Sequence, residues 1–291
     1  MEIFIDVIMD TVIDGIKILP FLFITYLFME ILEKHAMDKA GELVKKAGVF
    51  GPLWGSILGV VPQCGFSAAA SNLYAGRVIT VGTLIAIYLS TSDEMLPLMI
   101  SNKWPLSKIV PILLLKVIVG IIAGFIVDFA ANKTRKLRHK KEEEMRIDTL
   151  CEKEHCHCED EEGNVVKSAL VHTVHIFIYI LILTFALNLV VSLIGEDTLK
   201  SVITSNPVMG HILAGIIGLI PNCAASIIIT ELYMSGMISI GTMMSGLLVG
   251  AGVGLLVLYR VNPELKRNLH ITVILYIIGI FSGMIIDLIF S

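Results

Sequence analysis

Six runs of apolar residues, each long enough to cross a lipid bilayer, dominate this sequence. They lie at about 12–32, 78–101, 106–130, 169–194, 237–259 and 269–290. A helix needs about 20 such residues to cross roughly 30 Å of hydrocarbon, so each run predicts a membrane span. With 55% hydrophobic and 16% charged residues, the chain is too apolar for a soluble domain. We predict an all-α, polytopic protein of the cell membrane, in contact with the lipid bilayer.

The charged residues limit the partners and the processing signals that this chain is expected to have. The chain has 22 Lys and Arg against 26 Asp and Glu, so it has no broad basic surface, and nucleic acid is not expected as a partner. The start of the chain carries Glu2, Asp6 and Asp10. A secretory leader would be basic there, and we therefore predict no removed signal peptide.

Two further apolar stretches, at about 49–75 and 207–234, each contain a proline near the middle, Pro62 and Pro221. Proline removes a backbone donor and breaks a helix. The remaining pieces of about a dozen residues are too short to span the membrane one by one. We expect each stretch to form a Pro-broken helical hairpin.

The chain is an internal duplication. Residues 55–83 align without a gap on residues 214–242, and a constant offset of 159 relates the two copies. The same offset relates Gly120, Gly124 and Asp128 to Gly279, Gly283 and Asp287. We predict a first membrane repeat at 1–131, a charged His/Cys-rich linker at 132–168 and a second membrane repeat at 169–291. Duplicated halves are a common plan of secondary transporters.

The basic residues predict how the two repeats are oriented. If each broken segment enters and leaves on one side, 17 basic residues share one side of the membrane, 3 lie on the other and 2 lie inside it. If each broken segment crosses once, the split is 10 against 10. The positive-inside bias favours the first arrangement. It gives two inverted-topology repeats, with both termini outside and the linker in the cytoplasm.

The two breaks are the strongest functional signal. Irregular backbone within a bilayer has to be buried in protein or line a watery cavity, and in inverted repeats such breaks form the substrate site near the midplane. Each break supplies a carboxamide and a thiol, with a serine one turn beyond. The candidate substrate-binding residues are Pro62, Gln63, Cys64, Ser67, Pro221, Asn222, Cys223 and Ser226. A pair of thiols suits soft ions or metalloids, although each Cys alone could be an ordinary small buried residue.

Ionisable residues interrupt the spans at a few points. Asp93 and Glu94 stand in an otherwise apolar run, and Lys116 on the next span lies at similar depth. Such residues usually mark a pathway or a proton relay. We expect Lys116 to pair with one carboxylate, leaving the other free to bind a cation or a proton, so all three are candidate coupling residues. The alternative is a structural ion pair nearer the surface. Glu231 replaces Asn72 of the first copy and is a further candidate for substrate binding.

The linker carries a cluster of metal-binding residue types, Cys151, His155, Cys156, His157 and Cys158. Three thiols and two imidazoles offer enough ligands for a tetrahedral soft-metal site. Cytoplasmic thiols stay reduced, which favours metal over disulfide. The spacing matches no standard zinc finger, so a disordered acidic linker is the alternative.

The paired Pro-(Gln/Asn)-Cys breaks, the Thr-Ser-Asp-Glu-Met-Leu-Pro stretch at 91–97 and the His/Cys linker resemble the heavy-metal exporter permeases related to the ArsP-type organoarsenical permeases. The resemblance covers nearly the whole chain. It implies ten helices, if each hairpin arm is counted, and export of manganese or arsenic compounds. Arsenicals would suit the thiols, whereas manganese prefers oxygen ligands such as Asp93, Glu94, Gln63 and Asn222.

The expected function is a secondary-active transporter that exports a metal ion or metalloid, and not an enzyme. No covalent cofactor is expected, only a bound metal ion, and self-association is compatible with the sequence. Two alternatives are a membrane-embedded thiol redox enzyme that uses the two Cys and a non-transporting metal sensor built on the linker.

Overall fold

A computed structural model describes residues 50–60, 64–92, 95–137, 165–194, 207–221 and 223–290, together with individual helical residues between 8 and 27. Within these ranges every regular element is a helix and no strand occurs. The predicted all-α class is therefore confirmed. Among the described residues, three helical stretches are long and apolar enough to cross a membrane by length and composition, Leu106–Ala131, Ile240–Val261 and Leu265–Phe290.

The helices follow the duplication. The first repeat contains α1 (Gly51–Gly59), α2 (Cys64–Ala75), α3 (Val81–Ser90), α4 (Met95–Ser101) and α5 (Leu106–Leu137). After α6 (Val165–Ile194) the second repeat contains α7 (Pro207–Gly218), α8 (Cys223–Met234), α9 (Ile240–Val249), α10 (Val253–Val261) and α11 (Leu265–Phe290). Both α5 and α6 reach into the predicted linker at 132–168, and the domain boundaries themselves stay a prediction.

Both proline-containing stretches are broken as predicted. In the first copy α1 ends at Gly59 and α2 begins at Cys64; in the second, α7 ends at Gly218 and α8 begins at Cys223. Pro221 lies within the second break, outside both helices. Because proline has no backbone donor, the chain leaves the helix before it and starts a new helix after it.

Two of the predicted spans are also interrupted, which hydropathy did not predict. The run at 78–101 is divided into α3 and α4, and the run at 237–259 into α9 and α10. In the first, the hydroxyls of Ser90 and Thr91 donate to Ile87 O at 3.0 and 2.7 Å, and these bonds close the end of α3. In the second, Gly252 has a φ of 52°, which is left-handed backbone that favours glycine. Each run is therefore made of two helices, and the stretch Ile240–Val261 is still long and apolar enough to cross a membrane.

The direction of the helices shows how the broken segments are folded. Residues that pack against each other in α1 and α3 follow the same order along both helices: Gly51 packs on Thr83, Gly55 on Ile87 and Gly59 on Ser90. The second repeat has the same order in α7 and α9, in the pairs His211–Ser245, Ala214–Gly246 and Gly218–Gly250. Since α1 and α3 run in the same direction, the chain reverses twice between them. Hence α1 with α2, and α7 with α8, form hairpins.

The second arm of each hairpin packs against the other repeat. Helix α2 lies along α10, and α8 contacts α4. At the far end of α2, the Arg267 guanidinium lies 5.5 Å from the centre of the Tyr74 ring. At the equivalent end of α8, the rings of Tyr233 and Trp104 lie 5.5 Å apart. The two repeats are therefore joined through exchanged hairpin arms.

Two aspartates hold the same position in the two repeats. Asp128 accepts hydrogen bonds from Gly82 N at 2.8 Å and from the Thr80 hydroxyl at 2.6 Å, at the first turn of α3. Asp287 accepts from Gly241 N at 2.6 Å and from the Ser239 hydroxyl, at the first turn of α9. A carboxylate at a helix N-terminus satisfies donors that have no partner within the helix, which is worth about 0.5–2 kcal/mol. These aspartates fix where the two interrupted spans begin.

Candidate substrate site at the helix breaks

The four helix breaks lie next to one another. Gly59, at the end of α1, packs on Ser90 at the end of α3. At the end of α7, the carbonyl oxygen of Gly218 lies 3.5 Å from the position that a Cβ atom added to Gly250 would take. Gly254, at the start of α10, packs on Ser67 in the first turn of α2. The breaks of both hairpins and of both interrupted spans therefore form one region, at the interface of the two repeats.

A cluster of buried oxygen atoms occupies the side of this region formed by α2, α3 and α10. The Ser71 hydroxyl lies 2.7 Å from the Tyr88 hydroxyl, 2.7 Å from Gly254 O and 2.8 Å from Ser67 O. The Tyr88 hydroxyl is also 3.1 Å from Gly254 O. Four oxygens thus lie close together and share two hydroxyl hydrogens. Oxygen donors of this kind suit hard cations.

Lys116 connects the two repeats across the breaks. Its side chain is 1% exposed, and its Nζ donates to Thr91 O and, at 3.1 Å, to Leu247 O. The first carbonyl stands where α3 ends, and the second lies in the last turn of α9. Carbonyls at helix C-termini carry partial negative charge and have no partner within the helix. The ammonium group therefore neutralises the ends of two broken spans, one from each repeat.

The starts of four helices also lie in this region: α2, α4, α8 and α10 all begin directly after a break. Their first N–H groups have no partner within the helix and carry partial positive charge. With the helix ends beside them, the region offers backbone donors and acceptors from both repeats. In transporters such discontinuous helices bind substrates and coupling ions.

The predicted residues of the breaks are only partly described. Ser67 is fully buried and packs against Gly254, within the region of the breaks. Ser226, at the equivalent place in α8, is partly buried, and its carbonyl accepts from the Thr230 hydroxyl at 2.7 Å. Cys64 and Cys223 are the first residues of α2 and α8, and their side chains lie outside the described part. Pro62, Gln63, Asn222, Asp93 and Glu94 also lie outside it.

Glu231 lies apart from the breaks. It is exposed and stands eight residues beyond Cys223 on α8, about 12 Å along the axis at the helix rise of ~1.5 Å per residue. A role in substrate binding stays a prediction for this residue, and the position suits an entrance better than the region of the breaks.

The predicted metal cluster of the linker, Cys151, His155, Cys156, His157 and Cys158, lies outside the described residues. In the parts of the chain that are described, no three His, Cys, Asp or Glu side chains come together as a metal site. Metal binding by the linker stays a prediction.

Sequence reasoning missed Ser71, Tyr88 and Gly254. A usable signal exists in the duplication, because the copies differ at these positions: Tyr88 corresponds to Leu247 and Gly254 to Met95. Lys116 likewise corresponds to Leu275, which is fully buried. Tyr88, Gly254 and Lys116 thus stand where one copy departs from the other, whereas Ser71 corresponds to Thr230, which also carries a hydroxyl.

The model of a family described as "Putative, 10TM heavy-metal exporter" matches residues 1–196 and 165–291, which together cover the whole chain. No curated protein and no solved structure matches the chain.

Proposed function

Because the chain belongs to the family of 10TM heavy-metal exporters, a group of multi-pass membrane proteins, we propose that it is a secondary-active transporter that binds its substrate between the two broken hairpins. The observation that carries this proposal is the meeting of four helix breaks around Lys116. Broken helices within a membrane persist where they are buried in protein or line a cavity. The substrate is a metal ion or metalloid, as the family description implies.

The directions of the helices support inverted repeats. Helices α2 and α10 run together, because Ser67 and Gly254 meet at their starts and Tyr74 and Arg267 meet near their far ends. Helix α11 runs antiparallel to both α9 and α10, as the pairs Gly241–Asp287 and Tyr259–Thr272 require. Hence α9 and α10 run in the same direction, whereas α2 and α3 run antiparallel within the first repeat. These directions support an arrangement in which the equivalent helices α3 and α9 run in opposite directions, as we also infer from the distribution of basic residues.

Inverted repeats provide a route for alternating access. One repeat rocks against the other around a fixed site, and the site opens to each side of the membrane in turn. We place both termini outside and the linker in the cytoplasm, since the side with most basic residues faces inward. The sequence contains no Gly-rich, Lys-Ser/Thr phosphate-binding motif, so we propose that an ion or proton gradient supplies the energy.

The proposed site contains two kinds of ligand, thiols and oxygen atoms. Cys64 and Cys223 begin the two returning arms, and their thiols suit arsenicals and other soft substrates. Ser67, Ser71 and Tyr88, with Gln63, Asn222, Asp93 and Glu94, supply oxygens that suit manganese. In the cytoplasm, the thiols and imidazoles of the linker would capture the metal before it enters the site. We propose no catalytic step and no covalent cofactor.

Replacing both thiols by serine separates the two chemistries. In inverted vesicles that contain Cys64→Ser with Cys223→Ser, we expect uptake of radiolabelled arsenite to fall at least about tenfold, since a loss of ~1.4 kcal/mol in binding is already a tenfold change. Uptake of manganese should stay within about twofold if oxygens bind it. The matched control is Met237→Ser, which removes an exposed sulfur-containing side chain away from the breaks. Unchanged arsenite uptake in the double variant would remove the thiols from the site.

A further inference from the structure

A buried histidine and a half-buried aspartate form a pair at the first turn of α9, away from the breaks. His211 on α7 is 7% exposed. Its Nε2 lies 3.2 Å from Asp287 Oδ2 on α11, and its Nδ1 lies 2.9 Å from the Ser245 hydroxyl on α9. One imidazole thus joins three helices, and both ring nitrogens have a partner.

The pair exists in one repeat only. Asp287 and Asp128 are equivalent and bind the first turns of α9 and α3 in the same way. The residue equivalent to His211 is Pro52, and the residue equivalent to Ser245 is Ala86. Since the first repeat positions its aspartate without an imidazole, the histidine is not required for the cap. It adds a titratable group to one hairpin arm.

The surroundings suit both protonation states of the ring. In the neutral state Nε2–H donates to the Asp287 carboxylate and Nδ1 accepts the Ser245 hydroxyl hydrogen. When a proton from water binds Nδ1, this nitrogen becomes a donor and the serine hydroxyl turns to accept from it. The carboxylate acceptor is ionised in both states, and protonation makes the donor ionised as well, so the hydrogen bond to Asp287 becomes an ion pair with a stronger electrostatic attraction. Protonation therefore tightens α7 against α9 and α11.

The other titratable groups on the neighbouring helices are few among the described residues. The Tyr276 hydroxyl on α11 donates to Ile212 O at 3.2 Å, beside the histidine. On α8, Glu231 stands ten residues after Pro221, and His211 on α7 stands ten residues before it. The side chain of Glu231 is exposed. Asp287 is the acidic group in contact with the imidazole. Histidine is the side chain whose charge ordinarily changes between pH 5 and 8.

We propose that His211 and Asp287 form a proton-binding site that docks the first arm of the second hairpin, α7, onto α9 and α11 when it is protonated. Because Ser245 and Gly246 of α9 contact His211 and Ala214 of α7, undocking of α7 releases one wall of the region of the breaks. A use of this proton in driving transport rests on the proposed function; the proton site itself does not.

Hydrogen exchange of the purified full-length protein at pH 5.5 and pH 8.0 tests the site, once the rates are corrected for the intrinsic effect of pH. We expect the amides of 207–218 to be protected roughly fivefold to tenfold more at pH 5.5, since an ion pair replaces a hydrogen bond from a neutral ring. The first arm of the other hairpin, 51–59, is the control within the same molecule and should show no such difference. In His211→Gln the difference at 207–218 should vanish.

Asp287→Asn and Asp128→Asn form a second, matched pair. Both weaken a helix cap, but only the first removes the partner of the histidine, so only Asp287→Asn should abolish the pH effect on 207–218. Equal pH effects on 207–218 and 51–59 in the wild-type protein would overturn the proposal, as would a full effect in His211→Gln. These measurements need no transport, so failure to move any metal would overturn the proposed function and leave the proton site to be judged by exchange alone.

Discussion

Replacing Lys116 by leucine is expected to lower the transport rate at least about 100-fold, while the protein still inserts and folds. Leucine is the residue that the second repeat carries at the equivalent position, 275, where it is fully buried. The substitution leaves Thr91 O and Leu247 O without the donor that joins them. Leaving a buried acceptor without its donor costs about 1–3 kcal/mol for each of the two carbonyls, and each 1.36 kcal/mol of this that falls on the transport barrier is a factor of about ten in rate.

The measurement is metal uptake into inverted vesicles, normalised to the amount of protein in the membrane. Lys108→Leu is the matched control, because Lys108 lies on the same helix and is exposed. We expect the control to transport within about twofold of the wild-type rate, as surface substitutions usually have small effects. Wild-type transport by Lys116→Leu would show that the contact between the repeats is not needed.

The second large effect is expected from Gly254→Val, which disturbs the packing of α10 on α2. A Cβ at this position would lie 2.8 Å from Ser67 Cβ and 2.9 Å from Ser67 O, closer than real Cβ atoms come to such neighbours. Overpacking of this kind typically costs about 1–3 kcal/mol. The backbone of α2 has to move, so the oxygen cluster around Ser71 opens. We expect a fall of several degrees in the thermal transition of the purified protein and loss of transport.

Gly250→Ala is the control for this variant, because it adds a methyl group in the same interruption of the span. The nearest atoms to that methyl group lie 3.5 Å away, at Gly218 O and Gly246 O, which is an ordinary van der Waals distance. The control should keep both its thermal transition and its transport. If both variants behave alike, contact between α2 and α10 does not define the site.

The local features of the fold could be predicted because they have local causes. A proline, such as Pro62 or Pro221, interrupts a helix because its nitrogen has no hydrogen to donate. A proline can be recognised in any sequence. The interruptions at Thr91 and Gly252 were missed, since a hydropathy window measures how apolar a run is and not whether its backbone is continuous. Threonine, serine and glycine lower hydropathy little, yet together they end a helix.

The contacts between the repeats could not be predicted from one sequence. That Lys116 lies deep in the membrane follows from its position along a span, but its bond to Leu247 O depends on how two repeats pack. The same holds for Ser71 and Tyr88, which meet Gly254 of the other repeat. The alignment of the two copies emphasised what they share, whereas Lys116, Tyr88 and His211 stand where the copies differ.

Uptake of a panel of radiolabelled metals and arsenicals into inverted vesicles is the most direct test of the central claim. The vesicles are energised by a proton gradient and compared with vesicles that lack the protein. We expect accumulation of at least one member of the panel, which collapses when the gradient is dissipated and falls to background in Lys116→Leu. Equal accumulation with and without the protein, for every metal and arsenical in the panel, would contradict export through a site between the hairpins.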